Sequence, residues 1–162
     1  MFAANIVPDA GFRSQIYYVA CTTAQCRRCG LPTGLVALAI PHGHETRDGG
    51  APDRWHPADA NAFLFYVEQI SGGVEHRLQE LSRHFHPARS RATQSTHWAN
   101  HCQHCGAFFE DHELHCEPDG PFMPTNEASA ADIELLRIDD SLQAVAAGYA
   151  LEPQFFRFMR GG

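Results

Sequence analysis

The chain has 162 residues, with 44% hydrophobic and 19% charged side chains and a formal net charge of −7. This balance suits a folded domain with a core of its own, and it excludes a disordered polyelectrolyte. No apolar run approaches the roughly 20 residues that a membrane-spanning helix needs, and all twelve basic residues are arginine, so lysine chemistry is absent.

The first segment, MFAANIVPDAGFRSQIYYVA, has no basic region followed by an apolar one, so no secretory leader is read and a cytoplasmic location is expected, where thiols stay reduced. QIYYVAC and GLVALAI read as short β-strands, separated by the turn-rich CTTAQCRRCGLPTG. PHGHETRDGGAPDRWHP reads as an exposed loop. In ADANAFLFYVEQI, Phe63, Tyr66, Val67 and Ile70 follow the i, i+3, i+4, i+7 rhythm of an amphipathic helix, with Asp59 or Asn61 available as its cap. The SGG at 71–73 interrupts. A second helix follows in VEHRLQELSRHF, with Val74, Leu78, Leu81 and Phe85 on one side, so that residues 58–86 form a helical insertion.

Further on, HPARSRATQST is polar and irregular, and EPDGPFMPTNE is a proline-rich loop. ADIELLRI reads as a strand. DDSLQAVAAGY reads as a short helix capped by Asp140 or Ser141 and stopped by Gly148. Three phenylalanines in the tail LEPQFFRFMRGG call for burial against the core.

Two segments share one grammar: Cys26-Arg-Arg-Cys29-Gly30 and Cys102-Gln-His-Cys105-Gly106. Two residues between cysteines let both sulfurs reach one ion from a tight turn, and two such turns complete a tetrahedron around zinc. A glycine after the second cysteine adopts positive φ cheaply and closes the turn. Redox use would place the first cysteine at the start of a helix after a strand, which neither copy suggests, and disulfides would need an oxidising compartment. One structural Zn2+ held by Cys26, Cys29, Cys102 and Cys105 is therefore the expected site. Because the whole stretch 30–101 separates Cys29 from Cys102, the two knuckles (26–29 and 102–105) would clamp the whole domain, 1–162, rather than form a small finger.

The remaining candidates are Cys21, Cys116 and three histidine pairs, His42/His44, His84/His86 and His112/His115. Convergence of some of these would make a second, open metal site. The charge is split: Arg83 to His104 carries no acid, whereas Glu110 to Asp140 has ten acids against Arg137. Trp98 is expected to pack over the cysteine cluster and Asn100 to bond local backbone.

The run HWANHCQHCG, followed by EPDGPFMP, with CRRCG upstream before an apolar strand, resembles a pattern of uncharacterised bacterial zinc-ribbon-like proteins. The resemblance implies the zinc clamp and brings no activity. The expectation is an α+β domain, zinc-ribbon-like β knuckles with a long helical insertion. The expected role is that of a zinc-stabilised cytoplasmic adaptor or regulatory module that binds protein. No catalytic residue set is read. The alternatives are nucleic-acid binding through Arg27, Arg28, Arg83, Arg89 and Arg91 with Trp98 stacking, or a metal-dependent enzyme with a second, histidine-rich site. No membrane association is expected.

Overall fold

The computed structural model describes residues 4–51, 53–151 and 155–161. Its strands are β1 (Ala4–Ser14), β2 (Tyr17–Gln25), β3 (Pro32–Ile40), β4 (Glu45–Arg47), β5 (His56–Pro57), β6 (Ala62–Ile70), β7 (Phe85–Arg89), β8 (Thr96–Asn100), β9 (Glu134–Ile138) and β10 (Leu142–Leu151). Helices are α1 (Gly72–Leu81), α2 (Asp111–His115) and α3 (Glu127–Ala131). The strands form one antiparallel sheet in the order β5-β4-β1-β10-β6-β3-β2-β9, with β8 added to β6 and β7 to β8. This corrects the expected α+β architecture: the chain is mostly antiparallel sheet, and the long helical insertion at 58–86 does not exist.

Two segments carry the physical reason. Residues 62–68 are an almost unbroken apolar run, which satisfies a helical stripe by accident and equally suits a strand buried on both faces. The strand wins because both faces are covered. Leu64 and Val67 join the cluster that packs on α1 through Val74 and Leu78, while Phe63 faces the opposite cluster with Leu114, Phe122 and Phe156. β-Branched and aromatic residues dominate the run, as a pleated surface prefers.

In β10 the alanines suggest a helix, yet burial alternates along the strand from Leu142 to Ala150, the period of a sheet. Gly148 lies in mid-strand because the Phe65 ring of the neighbouring β6 occupies the space a Cβ would need. Three short strands, β4, β5 and β7, lie where loops or the end of the helical insertion are expected. β1 has no clear signal in the sequence; its pairing with β10 shifts between Ile6 and Ala10, around Pro8 and the left-handed Asp9 (φ 57°), and this breaks the alternation.

β2, β3 and β9 are strands as expected, and Phe156 and Met159 of the tail pack into the core. The helix expected at 74–85 is shifted and shorter, as α1: of its expected inward stripe Val74 and Leu78 are buried, but Leu81 is 41% exposed and Phe85 lies in β7. Residues 152–154 of the tail lie outside the described residues. The glycines at 72 and 73 do not separate two helices; they form the first turn of α1 behind Ser71.

The sheet forks at β6. Ala62, Phe63 and Leu64 pair with β3, whereas Val67 pairs with Trp98 of β8. Between these partners Tyr66 adopts φ 49°, a left-handed conformation that costs a bulky residue roughly 1–3 kcal/mol. Its N–H, turned out of the ladder, donates to Asp111 Oδ2 at 2.7 Å. β3 and β8 thus diverge from a common neighbour, and the two cysteine turns stand at their far ends.

Candidate metal centre

The first knuckle is the hairpin turn between β2 and β3. Cys26 N–H donates to the Leu31 carbonyl at 3.0 Å, and Gly30 N–H donates back to the Cys26 carbonyl at 2.8 Å. The second knuckle, after β8, repeats the arrangement: Cys102 N–H to Ala107 at 2.8 Å and Gly106 N–H to Cys102 at 2.9 Å. Gly30 and Gly106 have φ of 74° and 72°, so the glycine after each CxxC has the left-handed backbone that closes the turn. A β-bridge between His101 and Phe108 completes the second turn as a small hairpin.

The four sulfurs lie within 4.8 Å of one another. Cys26 Sγ is 3.6 Å from Cys105 Sγ, and Cys29 Sγ is 3.7 Å from Cys102 Sγ. No disulfide joins any of the cysteines. Four thiolates at about 2.3 Å from a tetrahedral ion sit about 3.8 Å apart, so the observed cross-knuckle separations fit one ion at the centre.

The thiols are unevenly poised. Cys26 is held below the usual thiol range by the N–H of Cys29. At Cys102 burial pushes upward, but the N–H groups of Cys105 and His104 and the sulfurs of Cys29 and Cys26 bring it down to about 6. At Cys29 the Leu31 N–H pulls down, yet burial and the other three sulfurs drive it up to about 11; Cys105 is raised as well. Four thiolates in this volume repel one another, and a divalent cation is what relieves that repulsion.

Side chains bring the knuckles together. Asn100, buried at the end of β8, accepts from Val36 N–H at 2.9 Å and donates to the Val36 carbonyl at 2.9 Å. It substitutes for a strand pair across the gap where β3 and β8 diverge. Thr33 Oγ1 accepts from Gln103 N–H at 3.0 Å, and His104 Nε2 lies 3.0 Å from the Pro32 carbonyl. Asn100 therefore bonds the backbone of a distant strand, β3, rather than its own surroundings in the chain. Trp98 does not cover the cysteines: it packs on Phe85 in the cluster on the α1 face, whereas Cys26 and Cys102 belong to the other.

The other candidate ligands stay apart. Among the described residues, only the four cysteines bring three or more potential ligand atoms together. Cys21 lies on β2 with its Sγ toward the Val19 carbonyl, and Cys116 follows α2. His42 is exposed while His44 is buried and donates from Nδ1 to the Pro41 carbonyl at 2.8 Å. His86 and His101 stack face to face at 3.8 Å. His112 is exposed, whereas His115 is buried between the rings of Phe65 and Phe122, each 5.0 Å away.

A buried polar group with no motif of its own supports the fork. Asp111 Oδ2 receives the Tyr66 N–H and lies 3.8 Å from Nδ1 of His97, which itself donates to the Trp98 carbonyl. Burial raises Asp111 to about 6, against the pull of His97 and the Tyr66 N–H. Nothing in the sequence points to it, because its partner is a main-chain N–H freed by a strand bend. Ser90, fully buried, donates to the neighbouring Glu110.

Burial lowers His115 to about 3. Its folded pKa lies below the unfolded value of about 6.5, so the unfolded chain takes up a proton that the folded chain refuses. The stability it contributes is present above about pH 6.5 and is lost as pH falls toward 3. Asp111, raised from an unfolded value of about 4, works in the opposite sense between pH 4 and 6. His115→Phe, which keeps the stacked ring, removes only the first effect. Between pH 7 and pH 5 the variant should lose about 2 kcal/mol less stability than the parent in urea titrations. Parallel losses in the two proteins would contradict the assignment.

Comparison with protein-family models, with curated proteins and with solved structures gives no match. The resemblance to zinc-ribbon-like proteins rests on the quoted residues alone. No helix among the described residues is long and apolar enough to cross a membrane.

Proposed function

We propose that the chain is a zinc-stabilised, protein-binding module of the cytoplasm, in which one Zn2+ held by Cys26, Cys29, Cys102 and Cys105 locks the diverging ends of β3 and β8. The observation that carries the metal is the cross-knuckle sulfur spacing of 3.6 and 3.7 Å on two turns of the same backbone design. All-sulfur donor sets select zinc or iron among common metals, and a four-thiolate site leaves no open position for a substrate. The ion supplies structure. Free thiols throughout the described residues fit a reducing compartment.

Protein binding is favoured over nucleic acid on two grounds. Arg27 is engaged by Glu113 at 2.7 Å and approaches Glu117 at 3.9 Å, and Trp98, 7% exposed, offers no face for stacking a base. Fluorescence anisotropy with single- and double-stranded oligonucleotides at low salt tests this. No saturable binding is expected, and a tight complex that weakens steeply with salt would replace the proposal with the nucleic-acid reading. The reading of a second metal centre has no converging ligand set to support it among the described residues.

A further inference from the structure

β2 extends past the end of its neighbour. The register of β9 against β2 closes at Cys21 and Glu134, but β2 continues for Thr22, Thr23, Ala24 and Gln25, paired only with β3. On the open side these residues have no main-chain partner among the described residues. In an antiparallel ladder alternate residues turn their N–H and C=O to opposite neighbours, so two of the four hold both groups toward that side.

The open edge faces a trough. A cavity of about 410 Å³ is lined by Ala24 and Gln25 with Phe108, Leu114 and Arg27, and one of about 740 Å³ by Thr22 and Thr23 with Ser129 and Asp132. The turn Asp119, Gly120 and Pro121 lines both, so the two cavities adjoin, each with residues of β2 and this turn among its walls. The turn is fixed before anything binds: Phe122 is buried, Asp119 N–H donates to the Met123 carbonyl at 3.1 Å, and Thr125 bonds the Asp119 carboxylate. Thr22 Oγ1, donating to the Asp132 carbonyl at 3.3 Å, marks the end nearest β9.

We infer that this trough docks an extended peptide segment of a partner protein, added to β2 as a strand in line with β9. The inference rests on the protein-binding reading above and names the site and the shape of the partner. Main-chain hydrogen bonds to Thr22–Gln25 supply the affinity, and the two cavities read side chains. Phe108, Leu114 and the prolines form an apolar floor beside Ala24; Asp119, Asp132 and Ser129 present acceptors beside Thr22 and Thr23. Four carboxylates (Glu113, Glu117, Asp119 and Asp132) accompany three guanidinium groups (Arg27, Arg28 and Arg160) around the two cavities, a balance that suits a neutral or basic peptide and disfavours a polyanion.

A random twelve-residue peptide library displayed on phage, panned against the full metal-loaded chain, tests this. Enriched peptides are then synthesised and mapped by amide chemical shifts. The expected result is that the largest shifts fall on Thr22–Gln25 and Asp119–Gly120. Methylating the peptide's backbone nitrogens one at a time should weaken binding at least tenfold at every second position, as strand pairing requires and side-chain docking does not. Peptides that map to another face, or that tolerate methylation throughout, would overturn the trough while leaving protein binding standing. A concentration-dependent dimer through the same edge would overturn it too, by assigning the edge to a second copy. A library with no binder would overturn the trough by itself, and no binder together with tight oligonucleotide binding would overturn the parent reading as well.

Discussion

Cys102→Ser is expected to yield a chain without a cooperative unfolding transition and without stoichiometric zinc. Structural zinc sites contribute apparent binding free energies of about 10–16 kcal/mol, comparable with or larger than the roughly 5–15 kcal/mol by which a domain is stable. This chain is placed to feel the whole loss. β8 meets β6 at a single residue pair, Val67 with Trp98, and the knuckle that follows β8 is secured to the β2–β3 turn by the sulfurs, a few polar side chains and the apolar cluster that Cys26 and Cys102 share with Phe109 and Leu114. Removing one thiolate leaves three crowded sulfurs around an incomplete site. Circular dichroism melts and elemental analysis of the purified variant check the expectation; a soluble, zinc-free protein that still melts cooperatively would show that the sheet stands without its clamp.

The second large effect belongs to Asn100. Its side chain satisfies both main-chain groups of Val36, a residue 5% exposed, at the point where β3 has lost β6 as a neighbour. Asn100→Ala leaves a buried donor and a buried acceptor without partners, at about 1–3 kcal/mol each. Destabilisation of about 2–6 kcal/mol is expected in denaturant titrations, with hydrogen exchange at the Val36 amide among those most accelerated. Asn100→Asp should do no better, since a carboxylate keeps the acceptor but sets a second oxygen against the Val36 carbonyl. Metal affinity should fall about 10–100-fold in the Ala variant, because the clamp orients the second knuckle toward the first. An Ala variant as stable as the parent would mean that water replaces the amide at no cost.

The part of the site that repeats locally is readable from the chain, and the part made by tertiary geometry is not. Cys26-x-x-Cys29-Gly30 and Cys102-x-x-Cys105-Gly106 specify both the donors and the turn, since the donor spacing and the positive φ are properties of five consecutive residues. Trp98 and Asn100 stand out beside the second knuckle, but what they do depends on the fork. Trp98 backs the other face of the sheet, and Asn100 reaches back to β3. Asp111 is invisible for the same reason: what it binds is the N–H of Tyr66, exposed only because β6 bends between two partners.

For the fold, β2, β3 and β9 are legible from their β-favouring residues, although all three pack side chains on both faces of the sheet. β6 is not legible, because its apolar run also places Phe63, Tyr66, Val67 and Ile70 at helical spacing, and β10 is not, because three of its five inward positions are alanine, the strongest helix former. The single α-helix longer than five residues among those described, α1, is legible as a helix through Val74 and Leu78, but its stripe ends there: Leu81 is exposed and Phe85 turns into β7.

Whether one ion joins four cysteine sulfurs drawn from two distant knuckles is tested most directly by zinc K-edge X-ray absorption on the purified full chain, combined with metal and protein quantitation. The expected result is about one zinc per chain and a first shell of four sulfurs at about 2.3 Å, with no nitrogen or oxygen scatterer. A shell containing nitrogen at about 2.0 Å, from any of the neighbouring histidines, or a metal-free protein whose four thiols are already paired as disulfides, would contradict it.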